Sequence, residues 1–343
     1  MKALQITDVH QLDVIELPQP SPRPDEVLLR IQYVGFCGSD LNTYRGRNQL
    51  ALRPVIPGHE ISATIAQVGA DVPAQLSVGQ VVTVDPYTAC GRCPSCRRRR
   101  PNACQHNETL GVQRHGAMRE FICVPWQKVI PADGLTPHDV ALIEPMSVGF
   151  HAVGRGQVTD SDTVLVIGCG MIGVGAIVRA ALRGATVIAM DLDDEKLALA
   201  RQIGASATIN SATEDVHEAL QRLTDGSGPD VVIEAVGSSV TYATAINEVA
   251  FTGRVVCIGY APGDVSLATK YFVQKELDIR GSRNALPDDF RAVIRYLRRG
   301  QCPTDQLISA IVRPEEAAAA MAAWDLAPGK VFRILLALNP LTP

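Results

Sequence analysis

The chain has 343 residues, more than one hydrophobic core usually supports, so two domains are expected. With 46% apolar residues and a formal net charge of -4, it reads as a folded globular protein with no global attraction to nucleic acid or anionic membranes. Nine cysteines, four of them crowded into residues 90–104, argue against a secreted disulfide framework and for metal binding in a reducing compartment. The N-terminus lacks the apolar core of a signal peptide. The longest apolar stretch, Val164 to Val178, is broken by glycines and too short to span a membrane, so a cytoplasmic location is expected.

Residues 1 to about 150 carry short β-branched runs separated by Pro and Gly, such as Val27 to Val34 and Gln80 to Val84. The prolines from Pro18 to Pro24 make a loop, because repeated missing N–H donors sustain neither helix nor central strand. At Thr163 the texture changes. A continuous apolar strand, Thr163 to Ile167, leads to a helix from about Met171 to Leu182. Next come a strand from Thr186 to Met190 and a helix from about Asp193 to Ile203. Later strands are Val231 to Ile233, Arg254 to Ile258 and Leu277 to Arg280. This alternation predicts a parallel sheet wrapped by helices. Beyond about residue 284 come a helix from Pro287 to Arg299, an Ala-rich helix from Glu315 to Trp324 and a last strand from Val331 to Leu336. The expected division is therefore 1–150 completed by 285–343, and 151–284.

Gly168, Cys169, Gly170, Met171, Ile172 and Gly173 spell G-x-G-x-x-G. The run follows a buried strand, opens a helix, and is followed by Asp191 at the end of the next strand, which is the context of a dinucleotide site. Gly168 allows the tight turn, Gly170 the approach of the pyrophosphate, and Gly173 close helix–strand packing. The helix N-terminus offers N–H groups to the anion. Asp191 would accept from ribose hydroxyls. Asp191, Asp193 and Asp194, with no Arg directly after the strand, favour NAD over NADP by charge repulsion.

Cys90, Cys93, Cys96 and Cys104 have the spacing C-x2-C-x2-C-x7-C, which gives tetrahedral zinc four thiolates and no open position. Arg97 to Arg100 lie inside this loop. They read as a solvated run that lowers the thiolate pKa values rather than as a nucleic-acid ribbon. A second group is dispersed: Cys37, Ser39 and Asp40, then His59 and Glu60, then Glu144. Together these offer one sulfur, one nitrogen and one or two carboxylates, a set that suits a zinc ion with a position left for water or substrate.

The segments Gly35 to Asp40, Pro57 to Glu60, the four-cysteine lobe, Glu144 to Gly149 and the glycine fingerprint stand in the order found in the zinc-containing medium-chain dehydrogenases, and the chain resembles that family over nearly its whole length. The resemblance implies a GroES-like β domain completed by the C-terminal segment, joined to a Rossmann domain. It is to the sorbitol, galactitol and sugar-acid dehydrogenase branch, because Glu144 stands where liver- and yeast-type enzymes use a cysteine. The implied ligands of a catalytic zinc are Cys37, His59 and Glu144, with Glu60 as the alternate. The implied role of Asp40 is to orient His59. Ser39 is implied to take the proton of the substrate hydroxyl, and Asn42 stands where many relatives relay it through a histidine. Gly281 to Asn284 resembles segments in galactonate- or gulonate-like dehydrogenases, and Arg283 there is a candidate to pair a carboxylate or touch the cofactor.

The expected function is zinc-dependent, NAD-linked oxidation of a secondary alcohol of a polyol or sugar acid to the ketone, with one catalytic and one structural zinc per chain. Alternatives are a dehydrogenase of threonine or a simple secondary alcohol and, outside the enzymes, a catalytically inactive zinc-binding protein. Tyr44, Arg45, Arg47 and Arg114 are further contact candidates, while His151, Cys123, Cys169, Cys257 and Cys302 read as packing residues. A small-molecule substrate is expected, with no nucleic-acid or membrane partner. The resemblance implies a homo-oligomer, tetramer or dimer.

Overall fold

The computed structural model describes residues 1–339. Its strands are β1 (Lys2–Asp8), β2 (Gln11–Glu16), β3 (Glu26–Gly35), β4 (Glu60–Val68), β5 (Val81–Val84), β6 (Phe121–Pro125), β7 (Val129–Pro131), β8 (Thr163–Ile167), β9 (Thr186–Asp191), β10 (Ala207–Asn210), β11 (Val231–Glu234), β12 (Arg254–Cys257), β13 (Asp278–Gly281), β14 (Ala310–Val312) and β15 (Ile334–Ala337). The chain forms two compact units, Met1–Glu144 with the segment from Leu286 onward, and Pro145–Ala285. None of the helices among the described residues is long and apolar enough to cross a membrane.

The first unit is built on a sheet of order β14-β15-β3-β4-β5-β7, with β6 pairing to β3 and a separate β1-β2 hairpin. Strand β3 is buried along both faces except at Arg30 and half-buried Tyr33, because it is central and pairs with β4, β6 and β15. The Ala-rich helix runs Ala317–Leu326 after a 3-10 turn at Pro314–Glu316, and starts later than expected because Pro314 opens the turn. Ala317, Met321 and Trp324, at positions i, i+4 and i+7, point its buried face into the core. The last strand begins at Ile334 rather than Val331, so Arg333 enters just before the ladder with its side chain buried.

The second unit is a six-stranded sheet of order β10-β9-β8-β11-β12-β13, parallel at every pairing. The apolar β8 is central, and Val164, Leu165, Val166 and Ile167 are at most 1% exposed. Strand order reverses between β8 and β11, the crevice where open parallel sheets bind ligands. The helix after β8 spans Met171–Leu182, and the one after β9 spans Asp194–Gln202 with Asp193 as its cap. This is the GroES-like plus Rossmann architecture that the sequence implied.

Candidate functional site

The four cysteines of the lobe meet. Cys93 Sγ lies 3.5 Å from Cys96 Sγ and 3.8 Å from Cys104 Sγ, and none of the four is in a disulfide. Four thiolates about 2.3 Å from a tetrahedral zinc stand about 3.8 Å apart, so the spacing fits that ion. Backbone N–H groups of Cys90 and His106 each donate to Cys104 Sγ at 3.3 Å, and Cys93 N donates to Cys90 Sγ at 3.3 Å. Such bonds stabilise thiolate charge. Cys93 is pushed down to about 5, first by the Ser95 hydroxyl and then by backbone N–H groups, whereas burial drives Cys96 up to about 11. The arginine run was expected to lower these values. It is exposed, and none of its arginines is among the leading causes of the shifts.

In the first unit, Cys37, His59 and Glu60 each bring one ligand atom within 4.8 Å of the others. Cys37 sits where β3 hands over to the short helix Gly38–Tyr44; His59 directly precedes β4, and Glu60 opens it opposite Gly35. A Cβ at Gly35 would lie 2.1 Å from Glu60 Oε2, so only glycine leaves room for this carboxylate. His59 Nδ1, both Glu60 oxygens, Asp40 Oδ1 and Ser39 Oγ are buried without hydrogen bonds. Orphaned donors of this kind, set around a thiolate, an imidazole and a carboxylate, fit a zinc ion.

Glu144 lies outside that three-residue set. It is 4% exposed and accepts a short hydrogen bond from the Tyr87 hydroxyl. Burial pushes its carboxyl up to about 7, against the opposing pull of His59. Burial alone would lower His59, yet its pKa is raised well above the ordinary value by Cys37, Asp40 and Glu144. Asp40 was expected to orient His59, but His59 Nδ1 donates no hydrogen bond to it. Asp40 Oδ2 instead accepts from Cys37 N at 2.8 Å and caps the short helix, which fixes Cys37. Burial raises the Asp40 carboxyl to about 6.

Two residues here escaped the sequence reading. Arg333 places Nε 3.1 Å from Glu60 Oε2, an ion-pair distance without hydrogen-bond alignment, and donates through another nitrogen to the Phe36 carbonyl. Tyr87 orders Glu144. The available signals were a lone arginine inside an apolar run and a tyrosine just beyond a strand.

In the second unit, Gly168 has φ of +92°, a region open to glycine, and a Cβ on Gly173 would lie 1.8 Å from the Gly168 carbonyl oxygen. Gly170 caps the following helix, and a Cβ there would meet nothing within 4 Å, so that side of the turn is open. Met171 and Ile172 form the first helical turn. Asp191 Oδ2 accepts from Cys169 N at 2.7 Å, and Oδ1 accepts from Leu192 N at 2.8 Å and Asp193 N at 3.2 Å. Past the ends of β12 and β13, a pocket of about 450 Å³ is lined by Tyr242, Ile258, Tyr260, Ser282 and Arg283, among others. Arg45 is committed to Asp325, and Arg114 to the carbonyls of Glu108 and Pro86; Tyr44 is buried and Arg47 exposed.

One unit holds a GroES-like sheet with a thiol–imidazole–carboxylate cluster, and the other a parallel sheet with a glycine-rich turn; together these define a two-unit dehydrogenase. Residues 23–134 match the alcohol dehydrogenase GroES-like domain, and residues 172–299 match the zinc-binding dehydrogenase domain. The chain is 34% identical to an L-galactonate-5-dehydrogenase of Escherichia coli K12, covering 84% of this chain and 85% of that one. It is 33% identical to a sorbitol dehydrogenase of Bacillus subtilis, covering 90% and 89%. A crystal structure of an alcohol dehydrogenase from Escherichia coli CFT073, complexed with NADH, superposes with a TM-score of 0.89 at 30% identity over 98% of this chain and 99% of that one. The chain belongs to the zinc-containing medium-chain alcohol dehydrogenases, in their sugar and polyol branch, and is an oxidoreductase acting on alcohols.

Proposed function

We propose that the protein oxidises a secondary alcohol of a polyol or sugar acid to the ketone, using NAD and a zinc ion in the first unit, with a second, structural zinc in the four-cysteine lobe. The observation that carries this reading is the meeting of Cys37, His59 and Glu60 amid buried polar atoms without protein partners. Zinc held there supplies a Lewis acid that stabilises negative charge developing on the alcohol oxygen. Cys37 and His59 are its ligands, with Glu144 or Glu60 as the third. Arg333 balances the charge of Glu60, Tyr87 orients Glu144, and Asp40 fixes Cys37 through its backbone. Ser39 Oγ, which has no hydrogen-bond partner among the described residues, would accept the hydroxyl proton while passing its own on, as the carbinol carbon loses hydride to NAD. Asn42 does not titrate, so the proton leaves by another route.

Gly168, Gly170, Met171, Ile172 and Gly173 form the pyrophosphate turn, and Asp191 receives the ribose hydroxyls. Three backbone N–H groups already hold the Asp191 carboxylate, and a carboxylate has about four lone-pair sites, so it retains one for the ligand. A 2′-phosphate there would face that charge. Sugar-acid and polyol substrates are favoured by the two relatives at 34% and 33% identity, and Arg283 is a candidate contact for a carboxylate. The enzyme is expected to be cytoplasmic and homo-oligomeric, a tetramer or dimer. Among the described residues no strand pairs with the outer edge of β13, and sedimentation as monomer alone would refute the assembly.

NADH formation by zinc-loaded protein across polyols, aldonates, threonine and simple alcohols, with NADP in parallel, tests the reading. Turnover of a polyol or aldonate with NAD supports it. Turnover confined to threonine or simple alcohols sinks the substrate class.

A further inference from the structure

We propose that a cavity of about 120 Å³ beside β5 and β6 in the first unit binds a small tetrahedral oxyanion, recognised by the guanidinium of Arg119. Its lining includes Asp85, Arg114, His115, Arg119, Ile122 and Lys128, none of which belongs to either metal cluster. Three of these side chains are cationic and one is anionic. The anion is already used, since Asp85 Oδ2 pairs with Lys128 Nζ at 2.7 Å and Oδ1 accepts from Tyr87 N at 3.1 Å. Arg114 reaches only carbonyl oxygens, at 3.2 and 3.3 Å.

Among the described residues Arg119 makes no ion pair or side-chain hydrogen bond, and its Nε is sealed from solvent. Burial depresses the pKa of both Arg114 and Arg119, yet a guanidinium stays charged at neutral pH. Arg119 is half-buried with its Nε desolvated, and a partly desolvated charge without a counter-charge is unfavourable. The fork of a guanidinium matches two oxygens of phosphate or sulfate. The space equals that of about four waters, enough for one such ion and too little for a nucleotide.

The walls also brace the candidate catalytic residues. His115 Nδ1 accepts from Ile56 N at 3.2 Å, and the N–H groups of Gly116, Ala117 and Met118 bond to the carbonyls of Ile56, Gly58 and Pro57, just ahead of His59. An anion on Arg119 would therefore stiffen the loop that carries His59.

Calorimetric titration with inorganic phosphate, at fixed ionic strength on protein loaded with zinc and NADH, tests the site. Saturable binding is expected, weakened at least about tenfold in Arg119→Met and unchanged in Arg98→Ala on the exposed cysteine lobe. Glycerol 3-phosphate binding as tightly as phosphate assigns the site to a phosphorylated metabolite, and weaker binding assigns it to the free ion. Either supports the site. No saturable binding to the parent protein, or equal binding by Arg119→Met, overturns it. Should that variant not fold, selenate in crystals of the parent decides: an anomalous peak within hydrogen-bond reach of Arg119 supports the site, and peaks only elsewhere overturn it.

Discussion

Arg333→Met isolates the pair that holds Glu60. Arg333 is 6% exposed and Glu60 fully buried, so the variant leaves a carboxylate with no counter-charge in a dry site. Methionine keeps most of the aliphatic stem, so packing changes little. Removing one partner of a buried ion pair costs about 3–5 kcal/mol. The lost donor to the Phe36 carbonyl adds about 1 kcal/mol. The metal-free protein should therefore lose about 4 kcal/mol or more. Adding Glu60→Gln should recover about half of that, because it removes the orphaned charge. The assay is urea denaturation followed by tryptophan fluorescence. Trp126 and Trp324 are the only tryptophans and both lie in the first unit, so the signal reports that unit alone. A loss under about 1 kcal/mol, or a double variant no more stable than Arg333→Met, would refute the view that Arg333 compensates Glu60.

Glu144 makes the stability of metal-free protein pH-dependent. Its carboxyl rises from an ordinary 4.5 to about 7 on folding, so between those values the folded state binds more protons and stability falls as pH rises. Glu144→Gln should flatten that slope in denaturation curves, and zinc affinity of the parent should climb across the same window, since binding displaces the proton. Gly173→Ala would set a Cβ 1.8 Å from the Gly168 carbonyl oxygen, so NADH affinity measured by fluorescence titration should fall more than about tenfold while the tryptophan-reported transition stays put. Cys93→Ser should lower bound zinc from two ions per chain to one by elemental analysis; an unchanged count would remove the structural site from the cysteine lobe.

The features legible in the sequence are local ones. Thr163 to Ile167, the glycine turn and the helix from Met171 are contiguous, and their apolar run, turn chemistry and 3.6-residue period point to one conformation. The cysteine lobe closes on itself within 15 residues, so its spacing alone restricts the geometry. The rest needed contacts across long separations. Arg333 meets Glu60 because β15 pairs with β3, whose Gly35 faces Glu60 on β4. Tyr87 reaches Glu144 across 57 positions. Asp40 was expected on His59, but the first turn of its own helix offered it a nearer N–H. The sequence by itself determined which residue types were available to a metal and a dinucleotide. Only the tertiary structure brought Glu60 into one cluster with Cys37 and His59 and set Glu144 near enough to His59 to act on its charge, because strand pairing and burial, not spacing along the chain, decide which carboxylates face them.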